Sequence, residues 1–508
     1  MKSLNEDEFG VIVIGTGFGG ASCAALLANK GIKTLLIDKN KFFGGRAFTT
    51  TVHDHKVDFF SHLLCMGGAG EIGSVLREIN AFDRIKFLQT QVGSLFIYEE
   101  KPVEIKTSMN FGTIMRLIEW LNVKDNDQLK SVMNAFSFLS NLQDPEIDQI
   151  YNLTVEEWLD KQFPNIPVSF KDFLTLWCGM MFVNPAKYSS AGEYVRYFTR
   201  ILNAKAAGYC SGGIGHIPEL MGKTVEENGS IVRMGDAVEK ILIENERAVG
   251  VQTKSGNVYK ADAIVSNVGI QPTVLKLVGS EYFSKDYLKY VENLIPSFSG
   301  VRIRYFLNEK IIDKKYGSIL VYGSNHNIRF DWNTMGKMTF EELMEPINLP
   351  VFNSVPSNFD PSLSPPGEQA ILATAIAPPN VTTRKQWDIL FDKIEDNMFK
   401  SFPSISQHIE YQDRADPKGI SEVSGRSIVS EVLPGVGGEA VGLAQIPEQV
   451  GYNKPNPRSP IPGLFFVGCD ANVFPGGGGV GLEQATNSGR NVARLVFSYL
   501  FGKRLRDI

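Results

Sequence analysis

Gly15-x-Gly17-x-x-Gly20, with Asp38 about 20 residues further on, is a spacing that suits the binding of a dinucleotide. Gly15 permits a tight turn off a strand, Gly17 has no Cβ to obstruct a pyrophosphate, and Gly20 lets a helix pack closely on a sheet. The helix that follows offers free N–H groups and a positive dipole end to the phosphates. Asp38 would accept the ribose hydroxyls, and Phe18, Gly19 and Lys39 flank the same site.

This fingerprint leaves NAD and FAD both open, so the choice falls to residues downstream. Phe43-Gly44-Gly45-Arg46 offers two glycines that turn the chain back under a nucleotide and an arginine that can meet a phosphate or a flavin-side carbonyl. Near the other end of the chain, an apolar strand stops at Gly468, and Asp470 is placed to bond a polyol or, through water, a pyrophosphate. Pro475 and four glycines (Gly476 to Gly479) then lead into a helix from about Val480, with Gly481 in its first turn, to Phe497, whose N-terminus suits a flavin pyrimidine carbonyl. Backbone groups near Val238 would read an adenine edge. These elements favour FAD.

Positioning these residues requires a strand over Val11 to Ile14, an alanine-rich helix, and a second strand from Thr34 to Asp38, which together form a βαβ unit. Tyr209 to His216 opens a further helix, and short strands follow at Ile231 to Met234, Val238 to Ile243, Ala248 to Thr253 and Ala263 to Asn267. The expected class is α/β, a two-domain FAD/NAD(P)-binding, Rossmann-like flavoprotein with an α+β substrate domain and a helical subdomain. Residues 1–75, 205–275 and 426–508 would form a discontinuous FAD-binding domain, and 76–204 with 276–425 the substrate domain, mainly helical over 105–204. Helical patterns at Phe111 to Leu121, Leu129 to Leu142 and Thr154 to Lys161 precede the bulky Trp177, Met180, Met181 and Phe182, which are candidate substrate-pocket residues. Ile428 to Leu433 with Gly435-x-Gly437-x-x-Ala440 imitates a second fingerprint, but Pro447 interrupts its helix, so a loop over the flavin is expected.

Composition narrows the class further. The 508 residues are 43% hydrophobic and 21% charged, with a net charge of −5, which gives no electrostatic footprint for nucleic acid. Cys23, Cys65, Cys178, Cys210 and Cys469 are scattered and odd in number, as expected of reduced thiols in a cytoplasmic setting. His53 and His55, near Asp54 and Asp58, read as a solvated hairpin edge, and no metal site is expected. Phe9 to Asn29 carries no charge, yet its glycine spacing and acidic preceding residues argue against a signal peptide or a span. Val492 to Ile508 combines an apolar face with a basic end that complements the helix dipole or touches a membrane surface peripherally.

Together these motifs resemble the phytoene desaturase-like branch of the flavin amine oxidase superfamily over nearly the whole chain. Gly15 to Gly20 with Asp38 and Gly44-Gly45-Arg46 resembles that family's FAD signature, and Val57-Asp58-Phe59-Phe60-Ser61-His62 resembles a segment that usually ends in Gly-Pro-His. Gly212-Gly213, Ala261 to Asn267 and Pro462 to Gly468 also match. The resemblance implies noncovalent FAD, and with the apolar helical block it leads to an expectation of hydride transfer between a CH–CH or C=C unit of a mainly apolar small molecule and flavin N5, with His62 the one catalytic candidate. Electrons would pass to oxygen, a quinone or a soluble carrier. The alternatives are a flavin amine oxidase, for which Tyr452 is the aromatic candidate, an isomerase or saturase of a C=C bond, and a non-enzymatic lipid-escort protein.

Overall fold

The computed structural model describes residues 8–98, 101–107, 110–322, 350–377, 383–419, 439–473 and 479–502. The imitation fingerprint up to residue 438, Pro475 with Gly476 to Gly478, and the basic end after residue 502 lie outside the described residues.

Glu8–Ile14 is the central strand of a mixed sheet, parallel both to Thr34–Asp38 and to Val258–Ser266. Ile231–Met234 extends the sheet beyond Thr34–Asp38, and Leu464–Phe466 pairs in parallel with the second half of Val258–Ser266. The antiparallel strands Val238–Glu244 and Arg247–Thr253 complete it. The parallel strands are apolar along most of their length because both faces are covered. The helix Phe18–Asn29 lies on one face, buried from Phe18 to Ala28, and packs against the C-terminal helix Gly481–Phe501 and the helix His216–Glu227.

A second seven-stranded sheet runs in the order Ile409–Ala415, Ser299–Leu307, Gln369–Ala377, Val351–Ser354, Tyr316–Tyr322, Val92–Tyr98 and Lys101–Lys106. All its pairs are antiparallel except Tyr316–Tyr322 with Val92–Tyr98. Arg384–Ser401 covers it through Trp387, Leu390, Phe391, Ile394 and Met398. Beside it, the helices Phe111–Trp120, Asn126–Asn141, Val155–Gln162, Val168–Phe182 and Ala191–Ala204 enclose a separate apolar core. Their starts are set by Asn110, Asp125, Thr154 and Ser190, each accepting a backbone N–H of the first turn. The expected combination of a Rossmann-like sheet, an α+β part and a helical part is therefore present.

The hairpin reading of His53 and His55 needs one correction. His53 and Asp54 do form the turn, with positive φ angles of 47° and 62°. His55 is not solvated: it is 2% exposed, its Nδ1 meets Ser364 Oγ, its Nε2 lies 3.1 Å from Glu368, and its ring packs on Phe306. The alternation of the strand His55–Asp58 turns this ring toward the second sheet.

A Cβ on Gly20 would stand 2.0 Å from the Gly15 carbonyl oxygen. Gly20→Ala is expected to cost about 3 kcal/mol, the upper end for overpacking, because backbone cannot yield. Gly179→Ala, in a helix with nothing within 4 Å of the added methyl, is expected to stabilise by about 0.5–1 kcal/mol. Urea unfolding of the two variants checks both signs.

Candidate active site

A cavity of about 730 Å³ opens beyond the carboxyl ends of the parallel strands and reaches the second sheet, within the size range of cofactor and substrate sites. Of the residues singled out in the sequence, Gly15, Gly17, Phe18, Gly19, Asp38, Lys39, Gly44, Gly45, Arg46, Val238, Gly468 and Gly481 line it, as do His62, Met180 and Met181.

Others stand elsewhere, each for a physical reason. Gly20 is spent on the contact with Gly15. Asp470, expected to meet a polyol or a water-linked pyrophosphate, is off the cavity wall: it is 6% exposed and its Oδ1 accepts the Leu443 N–H at 3.1 Å. Gly479 gives its N–H to Glu193 Oε1 at 2.7 Å, and Val480 is the buried N-cap of the C-terminal helix. Phe182 is enclosed in the helical core edge-on to Tyr194, and Trp177 faces a separate small cavity. Tyr452 is 75% exposed.

At the nucleotide end, Asp38 Oδ2 accepts both the N–H and the hydroxyl of Thr16, at 2.7 and 2.8 Å, while its Oδ1 accepts the Asn40 N–H. The acid thus holds the glycine turn and also lines the cavity. Lys39, Lys254 and Lys276 gather around it, and burial, with the two other lysines, holds the Lys39 ammonium below its ordinary pKa despite Asp38.

Asn267 was quoted in the sequence only as the end of a strand motif, yet it is the hub of the glycine cradle. Its side chain stands where a Cβ on Gly17, Gly19 or Gly468 would approach to 2.8, 2.8 or 2.7 Å. Gly481, at φ +60°, opens the C-terminal helix and has nothing within 4 Å of where its Cβ would stand. A cradle of bare backbone at one end and an open helix N-terminus at the other fit a dinucleotide's pyrophosphate and a flavin's pyrimidine edge. Arg46 is bonded to the carbonyl and carboxylate of buried Glu439.

The far end is apolar, with Met180, Met181, Val183, Phe352 and Ile376 on its walls. Val183 takes φ +49°, a left-handed conformation that costs a β-branched residue about 1–3 kcal/mol. Its carbonyl accepts the Phe298 N–H, which ties the end of the Val168–Phe182 helix to the second sheet. His62 is also on the wall; burial pushes its imidazole down to about 4, and its Nδ1 is enclosed with no hydrogen-bond partner among the described residues.

Residues 13–79 match the family model of the NAD(P)-binding Rossmann-like domain. A 4,4'-diaponeurosporene oxygenase of Staphylococcus haemolyticus is 22% identical over 95% of this chain and 96% of its own length. Among solved structures, an oxidoreductase from Methanosarcina mazei superposes with a TM-score of 0.69 at 19% identity, covering 95% of this chain and 99% of its own. Cyclohexylamine oxidase from Brevibacterium oxydans superposes with a TM-score of 0.60 at 13% identity, covering 97% and 99%. The chain shares its fold with these two structures, and the likeness covers 95% of it or more.

Glu483, in the first turn of the C-terminal helix, is 5% exposed and accepts the Glu71 N–H at 2.7 Å. Burial pushes its carboxyl up to about 7. Between its ordinary value of 4.5 and about 7 the folded protein binds more protons than the unfolded chain, so stability falls as pH rises through that window, by up to about 3 kcal/mol. Glu483→Gln is expected to remove this slope, as read by thermal unfolding from pH 5 to about pH 8 against the parent.

Proposed function

We propose that this chain is a FAD-dependent oxidoreductase that removes hydride from a CH–CH unit of a mainly apolar, carotenoid-type small molecule. The chain is an oxidoreductase by its likeness to named enzymes over almost all its length. One observation carries the finer reading: a single cavity joins the glycine cradle to an apolar end, so a cofactor and an oily substrate would meet inside it.

In this reading Gly15, Gly17 and Gly19 leave backbone room for the pyrophosphate, Asp38 takes the adenosine ribose, and Val238 borders the adenine. Lys39, Lys254 and Lys276 place positive charge at that end. Gly44, Gly45 and Arg46 would help to hold the nucleotide, and Gly468 and Gly481 would hold the flavin end. Bound FAD supplies the acceptor for the hydride. The protein's own task is positioning, with the donor C–H held at about 3 to 3.5 Å from the acceptor and water kept out. Met180, Met181, Phe352 and Ile376 perform it by contact, and the unbranched methionines adapt to the shape of the substrate.

His62, with an imidazole pKa near 4, is neutral at pH 7 and too weak to act as an efficient base there. We assign it to the wall; once the hydride has left and water is readmitted, the adjacent carbon loses the second proton to water. The amine oxidase alternative draws nothing from Tyr452, whose ring is 75% exposed and not on the cavity wall.

The test is an anaerobic titration of flavin-loaded protein with nitrogen-free polyene donors and with amines. Bleaching of the flavin by the polyenes is expected, and bleaching by amines alone would overturn the proposal. Gly481→Val, which places a side chain into the open end of the cavity at a positive φ, is expected to keep the fold and lose more than tenfold in FAD affinity, read by circular dichroism and by flavin absorbance after gel filtration.

A further inference from the structure

Trp177, singled out in the sequence as a pocket residue, does not reach the main cavity. It lines a separate cavity of about 70 Å³, in the helical block, whose walls are Phe136, Phe173, Phe198, Ile201 and Leu202. That volume has room for several waters, yet apolar walls of this kind stay dry. The indole stacks on Phe96 with ring centroids 5.5 Å apart, and its Nε1–H is enclosed with no hydrogen-bond partner among the described residues. A buried donor left unbonded is costly and calls for an explanation.

Two chain segments border both cavities. Ser61 and His62 line the large one, and Leu63 and Cys65, the next wall residues along the chain, line the small one. On the helix Val168–Phe182, Trp177 lines the small cavity while Met180 and Met181, three and four residues on, line the large one. Residues at that spacing share one helix face and lie about one turn, 5.4 Å, apart. The two cavities are therefore walled by neighbouring residues of the same two segments, with flexible methionines on the helix side of the large one. Beyond Trp177 the small cavity ends among Lys106, Thr107 and Lys205.

We propose that the small cavity is the far end of the substrate site, and that it receives an oxygen-bearing terminus of a linear apolar chain whose oxygen accepts the Trp177 Nε1–H bond. The inference rests on the apolar-substrate reading given above. The chain enters past Met180 and Met181, so its reacting carbon lies in the large cavity while its oxygenated end is anchored about a turn away. Trp177 thereby sets the register of the chain and selects against the all-hydrocarbon analogue, because only the oxygenated chain satisfies the donor.

The probes are a linear conjugated polyene hydrocarbon and the matching polyene with one terminal alcohol, bound to flavin-loaded protein and followed by the polyene's own absorbance. The parent protein is expected to hold the alcohol about five- to tenfold more tightly, the equivalent of one net hydrogen bond. Trp177→Phe keeps a ring in place and is expected to erase that preference while hydrocarbon affinity and flavin content stay within about twofold. Ala206→Phe, which fills the small cavity from another segment, is expected to weaken both long polyenes more than tenfold and leave a short polyene unchanged. It carries the test if Trp177→Phe does not fold. Equal binding of the two probes by the parent protein, or a preference that survives Trp177→Phe, overturns the subsite alone. A flavin-loaded protein that binds neither polyene overturns the apolar-substrate reading and the subsite together.

Discussion

Backbone meets backbone where the first helix enters the sheet, and the rest of the molecule depends on that approach. A Cβ at Gly20 would strike the Gly15 carbonyl at 2.0 Å, one at Gly19 would stand 2.9 Å from Gly468, and one at Gly489 would stand 2.5 Å from the Gly19 oxygen. The start of the first helix and the C-terminal strand and helix, at opposite ends of the sequence, are thus held together by the lack of side chains. Asn267 fills the one space left among them. Because the helix Phe18–Asn29 is buried all round, it has no polar face to fall back on, and loosening any of these contacts would open the cradle together with the core.

From that fixed end the cavity changes character along its length. Lysines and Asp38 surround the region next to the strand ends, a neutral imidazole is on the wall, and methionine, phenylalanine and isoleucine close the far wall. Such a gradient suits a reaction whose cofactor is charged and whose substrate is not: the polar end takes up the binding of phosphates, and the dry end makes contact by shape. Strain is placed where the two meet. Val183 keeps its left-handed backbone at the junction of the helical block and the second sheet, on the cavity wall.

The nucleotide half was legible in the sequence because its rules are local. Gly15, Gly17 and Asp38 act over a few tens of residues, and strand, turn and helix each carry their own pattern, so the Ile231–Met234 strand has the bounds expected of it. What the sequence hid was long-range. Asn267 looked like the end of a strand until Gly17 and Gly468 were seen around it. Asp470 had the right type and place but turned to Leu443, and His55 looked like a surface residue until Glu368 and Phe306 closed over it. The four bulky residues from Trp177 to Phe182 divide among two cavities and a core according to their angle around one helix, and periodicity alone cannot say which of its faces meets which neighbour.

The most direct check on the account is the identity of whatever the folded protein releases on acid denaturation after incubation with FAD and NADP together and gel filtration, determined by mass and absorbance. One FAD per chain, with no nicotinamide nucleotide, is the predicted result. Release of the nicotinamide nucleotide instead, or of neither, would contradict the assignment of the glycine cradle and the C-terminal helix to a flavin.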